Sequence, residues 1–161
     1  MRLRRISRYE QNRRITKKDG TVLSINISTA KGTPKTSVNP GVLIEDFGFE
    51  GDAHAGKWHR QVSLLAIESI EKSKGMPTNG LCHGVFAENI TTKGIVLYTL
   101  PVGTRLQIGE AVIEITQIGK ECHEGCAIQK TVGKCIMPKE GVFAKVIKGG
   151  NVYNHDPIQI L

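Results

Sequence analysis

The stretch Gly103-Thr104-Arg105-Leu106-Gln107-Ile108-Gly109-Glu110-Ala111-Val112-Ile113-Glu114-Ile115-Thr116-Gln117-Ile118 decides the fold class. Ala111, Ile113 and Ile115 fall on one face and Glu114 and Thr116 on the other, the period of two that a half-buried strand requires. Arg105-Leu106-Gln107-Ile108 is a second short strand, separated from the first by Gly109-Glu110 and preceded by the turn Pro101-Val102-Gly103-Thr104.

The same grammar extends in both directions. Leu23, Ile25 and Ile27 alternate with Ser24, Asn26 and Ser28, which predicts a strand with its apolar set inward and its polar set outward. Lys31-Gly32-Thr33-Pro34-Lys35 ends it with turn chemistry. Val42-Leu43-Ile44 is another short strand, and Asp46 to Asp52 reads as a loop. Val62–Ala66 is a continuous apolar run, expected as a buried strand that feeds a helical turn or two over Ile67–Ser73, with Gly75 and Pro77 as stops. Val85-Phe86-Ala87 and Ile95-Val96-Leu97 read as strands on either side of a turn-like Glu88-Asn89-Ile90-Thr91-Thr92. Val142–Ile147 and Pro157–Leu161 complete the pattern. Seven or eight short strands, Gly-rich turns and little helix predict a mainly β domain, a barrel or a sandwich. No internal repeat and no linker divides residues 21–161.

Charge separates that body from what precedes it. The chain has 161 residues and a formal net charge of +7. Residues 1–20 carry eight Lys/Arg against Glu10 and Asp19 and so hold +6 of it, while residues 21–161 hold only +1. A nearly neutral body is a poor candidate for a nucleic-acid-binding domain, so any such role is expected to rest on the basic tail, itself expected to be solvated and disordered. Apolar runs stop at four or five residues, far short of the ~20 that a membrane-spanning helix needs, which argues against a membrane protein. No apolar core follows the tail as in a signal peptide, so a cytoplasmic location is expected. Four cysteines at spacings of 40, 4 and 9 residues do not form a disulfide framework.

Three segments carry groups suited to chemistry. In Gly51-Asp52-Ala53-His54-Ala55-Gly56-Lys57-Trp58-His59-Arg60-Gln61-Val62-Ser63, two histidines, a lysine, an arginine and the sole tryptophan sit together between glycines. Cationic and amide donors on such a loop suit an oxyanion or phosphate, and Arg60 can grip one with two hydrogen bonds. A polar surface loop plugged by Trp58 is the plain alternative. His54 and His59 stand five apart, which is not the i, i+4 spacing of a helical zinc pair. In Gly119-Lys120-Glu121-Cys122-His123-Glu124-Gly125-Cys126, Lys120 and His123 favour the Cys122 thiolate while Glu121 and Glu124 oppose it. Cys126 is a candidate resolving thiol for Cys122, and an unreactive cysteine pair is the alternative. Cys82, His83, Cys122, His123, Cys126 and Cys135 lack paired Cys-x-x-Cys units, so structural zinc is not expected. The third segment, Val132 to Ala144, reads as a bend over one end of the domain, with Cys135 a core residue.

In this order the segments resemble the MOSC family, the molybdenum cofactor sulfurase C-terminal domain, in its small stand-alone bacterial form. The resemblance rests on Ser-Ile-Asn-Ile-Ser with Lys-Gly-Thr-Pro-Lys, Gly-Asp-Ala-His-Ala-Gly with His-Arg-Gln-Val-Ser-Leu-Leu, and Phe-Ala-Glu-Asn-Ile-Thr. It continues through Val-Gly-Thr-Arg-Leu-Gln-Ile-Gly-Glu-Ala, Gly-Lys-Glu-Cys-His and Glu-Gly-Val-Phe-Ala, and covers residues 21–161 without the tail. It implies a closed or partly open β-barrel with a few short helices and an association with molybdenum cofactor. The family's reactive cysteine falls on Cys122, either as a sulfur carrier served by a sulfur donor protein or as a ligand to molybdenum. Asp52, His54, Lys57, His59, Arg60, Lys120 and His123 are then the expected cofactor-binding set, with Asn89 shaping the pocket. Sulfur transfer is the first expectation; a cofactor-dependent reductase and a non-catalytic cofactor-presenting module are the alternatives. Two departures stand out: Cys126 is not a general family feature, and His155-Asp156 replaces the usual Gly-Asp.

Overall fold

The computed structural model describes residues 19–31, 33–72, 86–121 and 136–161. Eleven strands lie among them: β1 (Gly20–Ile27), β2 (Thr36–Val38), β3 (Gly41–Ile44), β4 (Gly48–Phe49), β5 (Val62–Ala66), β6 (Ile90–Lys93), β7 (Arg105–Ile108), β8 (Ala111–Ile118), β9 (Val142–Lys148), β10 (Gly150–Val152) and β11 (Pro157–Ile160). Two short helices accompany them, α1 (Ile67–Lys72) and α2 (Met137–Glu140), with a 3-10 turn at Leu97–Thr99.

Neighbouring strands run β11-β7-β8-β9-β5-β6-β1, and β11 pairs back onto β1, so seven strands close a barrel with β2 added outside β1. The pairings around it are antiparallel except β5–β6, where Leu64 lies beside Ile90 in parallel register. The β7–β8 hairpin forms as the alternation requires, with Leu106 opposite Ile113 and Ile108 opposite Ala111, all four fully buried. These join Val22, Ile25, Val62, Leu64, Ile90, Ile115, Val146 and Ile158 in the barrel interior. A small sheet, β10-β3-β4, packs beside it.

β5 explains its own unbroken apolar sequence. Val62 and Leu64 face the barrel interior, while Leu65 on the opposite face packs with Phe86, Met137 and Phe143 in a second cluster. A strand covered on both sides has no solvent face on which to place polar residues. Truncating Leu64 to alanine would cost about 2–5 kcal/mol, the usual range for a fully buried leucine.

Three local expectations are overturned. Gly48–Phe49, inside the expected loop Asp46 to Asp52, forms strand β4 against β3. Ile90–Lys93 is strand β6, not a turn, whereas Phe86 lies in a turn, Ala87 has a positive φ of 61°, and Leu97 begins the 3-10 turn. The threonines there are β-branched, and this property outweighs their polarity in a sheet. In β1, Ser24 and Asn26 are buried, whereas Leu23 and Ile27 are only partly so. A register shift between Val22 and Ser24 in the pairing with β6 interrupts the simple alternation. Asn26 is satisfied inside by donating to the Glu88 carbonyl (3.2 Å) and Thr91 Oγ1 (3.3 Å). Residues 1–18, Gly75, Pro77, Cys82, His83, Val85, Cys122, His123, Cys126 and Cys135 lie outside the described residues. No helix among the described residues is long and apolar enough to cross a membrane.

Candidate functional site

The outer face of β5 and β9 carries a cavity of about 250 Å³. Ser63 of β5 and its cross-strand partner Phe143 of β9 line it together with Phe86, Ala87 and Met137. Lys31 reaches it from the end of β1, His54, Trp58 and Arg60 from the segment between β4 and β5, and Lys120 from the end of β8. Three cations and no carboxylate are therefore found among the described residues of the lining.

The loop that carries His54 is held from beneath by a buried ion pair. Lys35 Nζ lies 2.6 Å from Asp52 Oδ1, with both side chains fully sealed from solvent. Asp52 also accepts from the Ser28 amide (3.1 Å) and the His54 amide (3.2 Å), tying the loop to the end of β1. Burial alone would raise the Asp52 carboxyl, but the hydrogen bond and charge of Lys35 outweigh it and hold it below the usual carboxylate range. Burial also draws the Lys35 ammonium below an ordinary lysine, against the pull of Asp52 and Glu88. The approach of the loop requires glycine at Gly48: its φ is 123°, and a Cβ there would meet the Gln61 carbonyl at 2.7 Å.

Lys35 Nζ also lies 3.0 Å from His54 Nδ1. Burial, with the charges of Lys35, Lys120 and Lys31, lowers the His54 imidazole from 6.5 to about 4, so it is neutral at physiological pH. Trp58 donates from Nε1 to the His54 carbonyl at 2.7 Å, which fixes its indole beside Arg60. The Arg60 guanidinium stands 4.7 Å from the Trp58 ring centroid and 5.5 Å from that of Phe143. These aromatic contacts position the cation without consuming its hydrogen bonds. Arg60 Nε is buried and has no hydrogen-bond partner among the described residues. A buried donor left unmatched in a cationic, carboxylate-free lining is chemically suited to an anionic acceptor.

The cavity brings together His54, Arg60 and Lys120 from the residues expected on sequence. Asp52 stands behind them as the Lys35 partner. Asn89 is fully buried; its Oδ1 accepts from the Ser63 amide (2.9 Å) and hydroxyl (3.2 Å), and its Nδ2 donates to the Asn26 carbonyl (3.1 Å). It acts on the cavity through the position of Ser63, which also donates to the Ala87 carbonyl. Lys57 is exposed and outside the described lining. His59 is also exposed and turns to Gln117 Oε1 at 2.8 Å. Cys122, His123 and Cys126 lie outside the described residues, and no cluster of three metal-binding side chains occurs among the described ones. On sequence, Lys31 and Lys35 are turn residues only. Their signal was a pair of lysines flanking a turn that contains no acidic residue to balance them.

Comparison with known proteins places this geometry. The structure superposes on the YuaD protein from Bacillus subtilis with a TM-score of 0.72 at 16% identity, over 88% of this chain and 94% of that one. It superposes on YiiM from Escherichia coli with a TM-score of 0.63 at 20% identity, over 88% of this chain and 69% of that one. For YiiM from Geobacillus stearothermophilus the TM-score is 0.64 at 19% identity, over 88% and 75%. These likenesses establish the shared barrel. No curated protein matches the chain at significant similarity. The MOSC domain matches residues 51–159, from the His54–Arg60 loop to the last barrel strand, and on that span the chain belongs to the MOSC family, whose domains are associated with molybdenum cofactor.

Proposed function

We propose that the protein carries sulfur on Cys122 and delivers it to a molybdenum or metal-sulfur cofactor held at the cationic cavity. The observation that carries this reading is the unmatched, buried Nε of Arg60 in a lining with Lys31 and Lys120 and no described carboxylate. That donor set fits the anionic end of a phosphorylated pterin, with Arg60, Lys31 and Lys120 as its ligands and His54 as a neutral donor beside them. When bound, the cofactor would supply the metal centre that accepts the sulfur.

The chain's own chemistry begins with the thiol. Lys120, two positions before Cys122, lines the cavity, and its charge favours a nearby thiolate. The Cys122 thiolate attacks the terminal sulfur of a persulfide on a donor protein. The new S–S bond forms as the donor's S–S bond breaks, and the departing electron pair leaves a donor thiolate, so Cys122 becomes the persulfide. Incubation with a persulfide donor is expected to add about 32 Da to the wild type and nothing to Cys122→Ser. An adduct that persists in the variant, or none in either protein, would defeat the proposal. Molybdenum retained by protein from a cofactor-producing host without any sulfur adduct would instead favour direct ligation of the metal.

A further inference from the structure

Behind the cavity, Lys35 has two partners and one consequence that the cofactor reading does not use. Its ammonium can only donate hydrogen bonds. Asp52, at 2.6 Å with both side chains sealed from solvent, keeps it an ammonium. His54 Nδ1, 3.0 Å from the same nitrogen, must then present its lone pair. A proton on Nδ1 would set N–H against N–H, and a fully protonated ring would put two cations in contact inside a cluster that already includes Lys31 and Lys120. The ring proton therefore sits on Nε2, which has no hydrogen-bond partner among the described residues, while the ring itself lines the cavity.

We infer that Lys35, anchored by Asp52, holds His54 as the neutral tautomer protonated at Nε2, so that the cavity receives a fixed N–H donor and no base at that position. Lys35 and Asp52 are positioning residues; His54 is the group that meets the ligand. The consequence for specificity extends the proposed function and rests on it. Arg60 Nε–H, His54 Nε2–H and the ammonium groups of Lys31 and Lys120 are all donors, so the site accepts a fully ionised oxyanion. A group that presents its own O–H or N–H is disfavoured at these four side chains, because none of them offers that proton an acceptor.

Long-range proton–nitrogen NMR on the full chain labelled with nitrogen-15 histidine reads the tautomer directly, with no ligand added. The expected spectrum has one protonated and one unprotonated ring nitrogen for His54, the proton on Nε2, unchanged between about pH 5 and 8. A proton on Nδ1, an averaged pair of tautomers, or an imidazolium at pH 7 would overturn the inference. Lys35→Met is expected to shift His54 to a mixture of tautomers; a folded variant that keeps the single Nε2–H form overturns the role of Lys35. Should that variant not fold, the wild-type spectrum still decides the tautomer. Inorganic sulfate, which is fully ionised at neutral pH, supplies the binding test. His54→Gln, whose amide can donate from the place of Nε2, is expected to bind within about threefold of wild type, and His54→Asn about tenfold more weakly. Equal affinities for the two variants would remove the donor role. The tautomer is measured without ligand, so it can fail while sulfur still loads onto Cys122, and stand while sulfur does not.

Discussion

Lys35 meets Asp52 at 2.6 Å with both side chains closed to solvent, whereas Glu114 meets Lys145 at 3.1 Å and Arg105 at 3.6 Å on the outer barrel wall, with the two cations about half exposed. The outer cluster spans three neighbouring strands: Glu114 on β8 lies opposite Arg105 on β7 and Lys145 on β9. Water screens those charges and keeps each of them solvated when a partner is lost. The inner pair has no such refuge. Its attraction has to offset the desolvation of two ions, so its presence alone says little about stability, but removal of one member strands the other. The outer charges decorate the barrel, and the inner pair fixes the loop that carries His54.

The most demanding test of this contrast is Asp52→Ala, expected to lower unfolding free energy by about 3–5 kcal/mol in urea titration because Lys35 is left buried without a counter-ion. Lys35→Met combined with Asp52→Leu is expected to recover most of the loss. A single-variant cost below about 1 kcal/mol would erase the distinction between the two clusters.

Acid sharpens the comparison at an intermediate scale. His54 titrates at about 4 in the folded chain against an ordinary 6.5 when unfolded. Between those values the unfolded chain binds the proton and the folded chain does not, so stability falls as pH drops from about 6.5 to 4 and is flat with respect to this group above that window. After allowance for partial solvent exposure the loss is about 1–2 kcal/mol. Asp52, held below its ordinary value, adds a separate loss at lower pH as it takes up its proton. Urea midpoints measured across this range should slope less in His54→Gln; an unchanged slope would remove His54 as the cause.

Two smaller effects complete the ranking. His155 adopts a φ of 71° while its amide donates to the Val22 carbonyl at 2.7 Å. His155→Gly keeps that bond and is expected to stabilise the fold by about 1 kcal/mol, seen as a raised thermal midpoint; a lowered one would show that the side chain contributes more than the backbone loses. Glu114→Gln should change stability by no more than about 0.5 kcal/mol, and still less in high salt. A loss comparable to that of Asp52→Ala would overturn the reading of the outer cluster.

The barrel was legible in the sequence wherever one face of a strand meets water. Leu106, Ile108, Ala111, Ile113 and Ile115 announce their burial by alternation, and each is buried. Legibility failed where polar side chains are interior. Ser24, Asn26, Glu88, Asn89, Thr91 and Thr92 are all buried, and on sequence such side chains read as a turn or as the solvent face of a strand. Within the site, the donors His54, Arg60 and Lys120 were visible as local clusters of charge. Lys35 was not, because its meaning lies in Asp52, seventeen residues away along the chain.

A ring of strands that alternate up and down closes on itself only when their number is even. This ring has seven, so at least one neighbouring pair has to point the same way, and that pair is β5 and β6. Two strands pointing the same way cannot be joined by a hairpin; the chain has to travel back along the outside before it re-enters the wall. That return path contains α1 and delivers Phe86 and Ala87 to the cavity beside Ser63. The odd strand count thus bears on the pocket: the crossover it demands re-enters the wall through Phe86 and Ala87, and these two residues line the cavity that Lys31, Arg60 and Lys120 share.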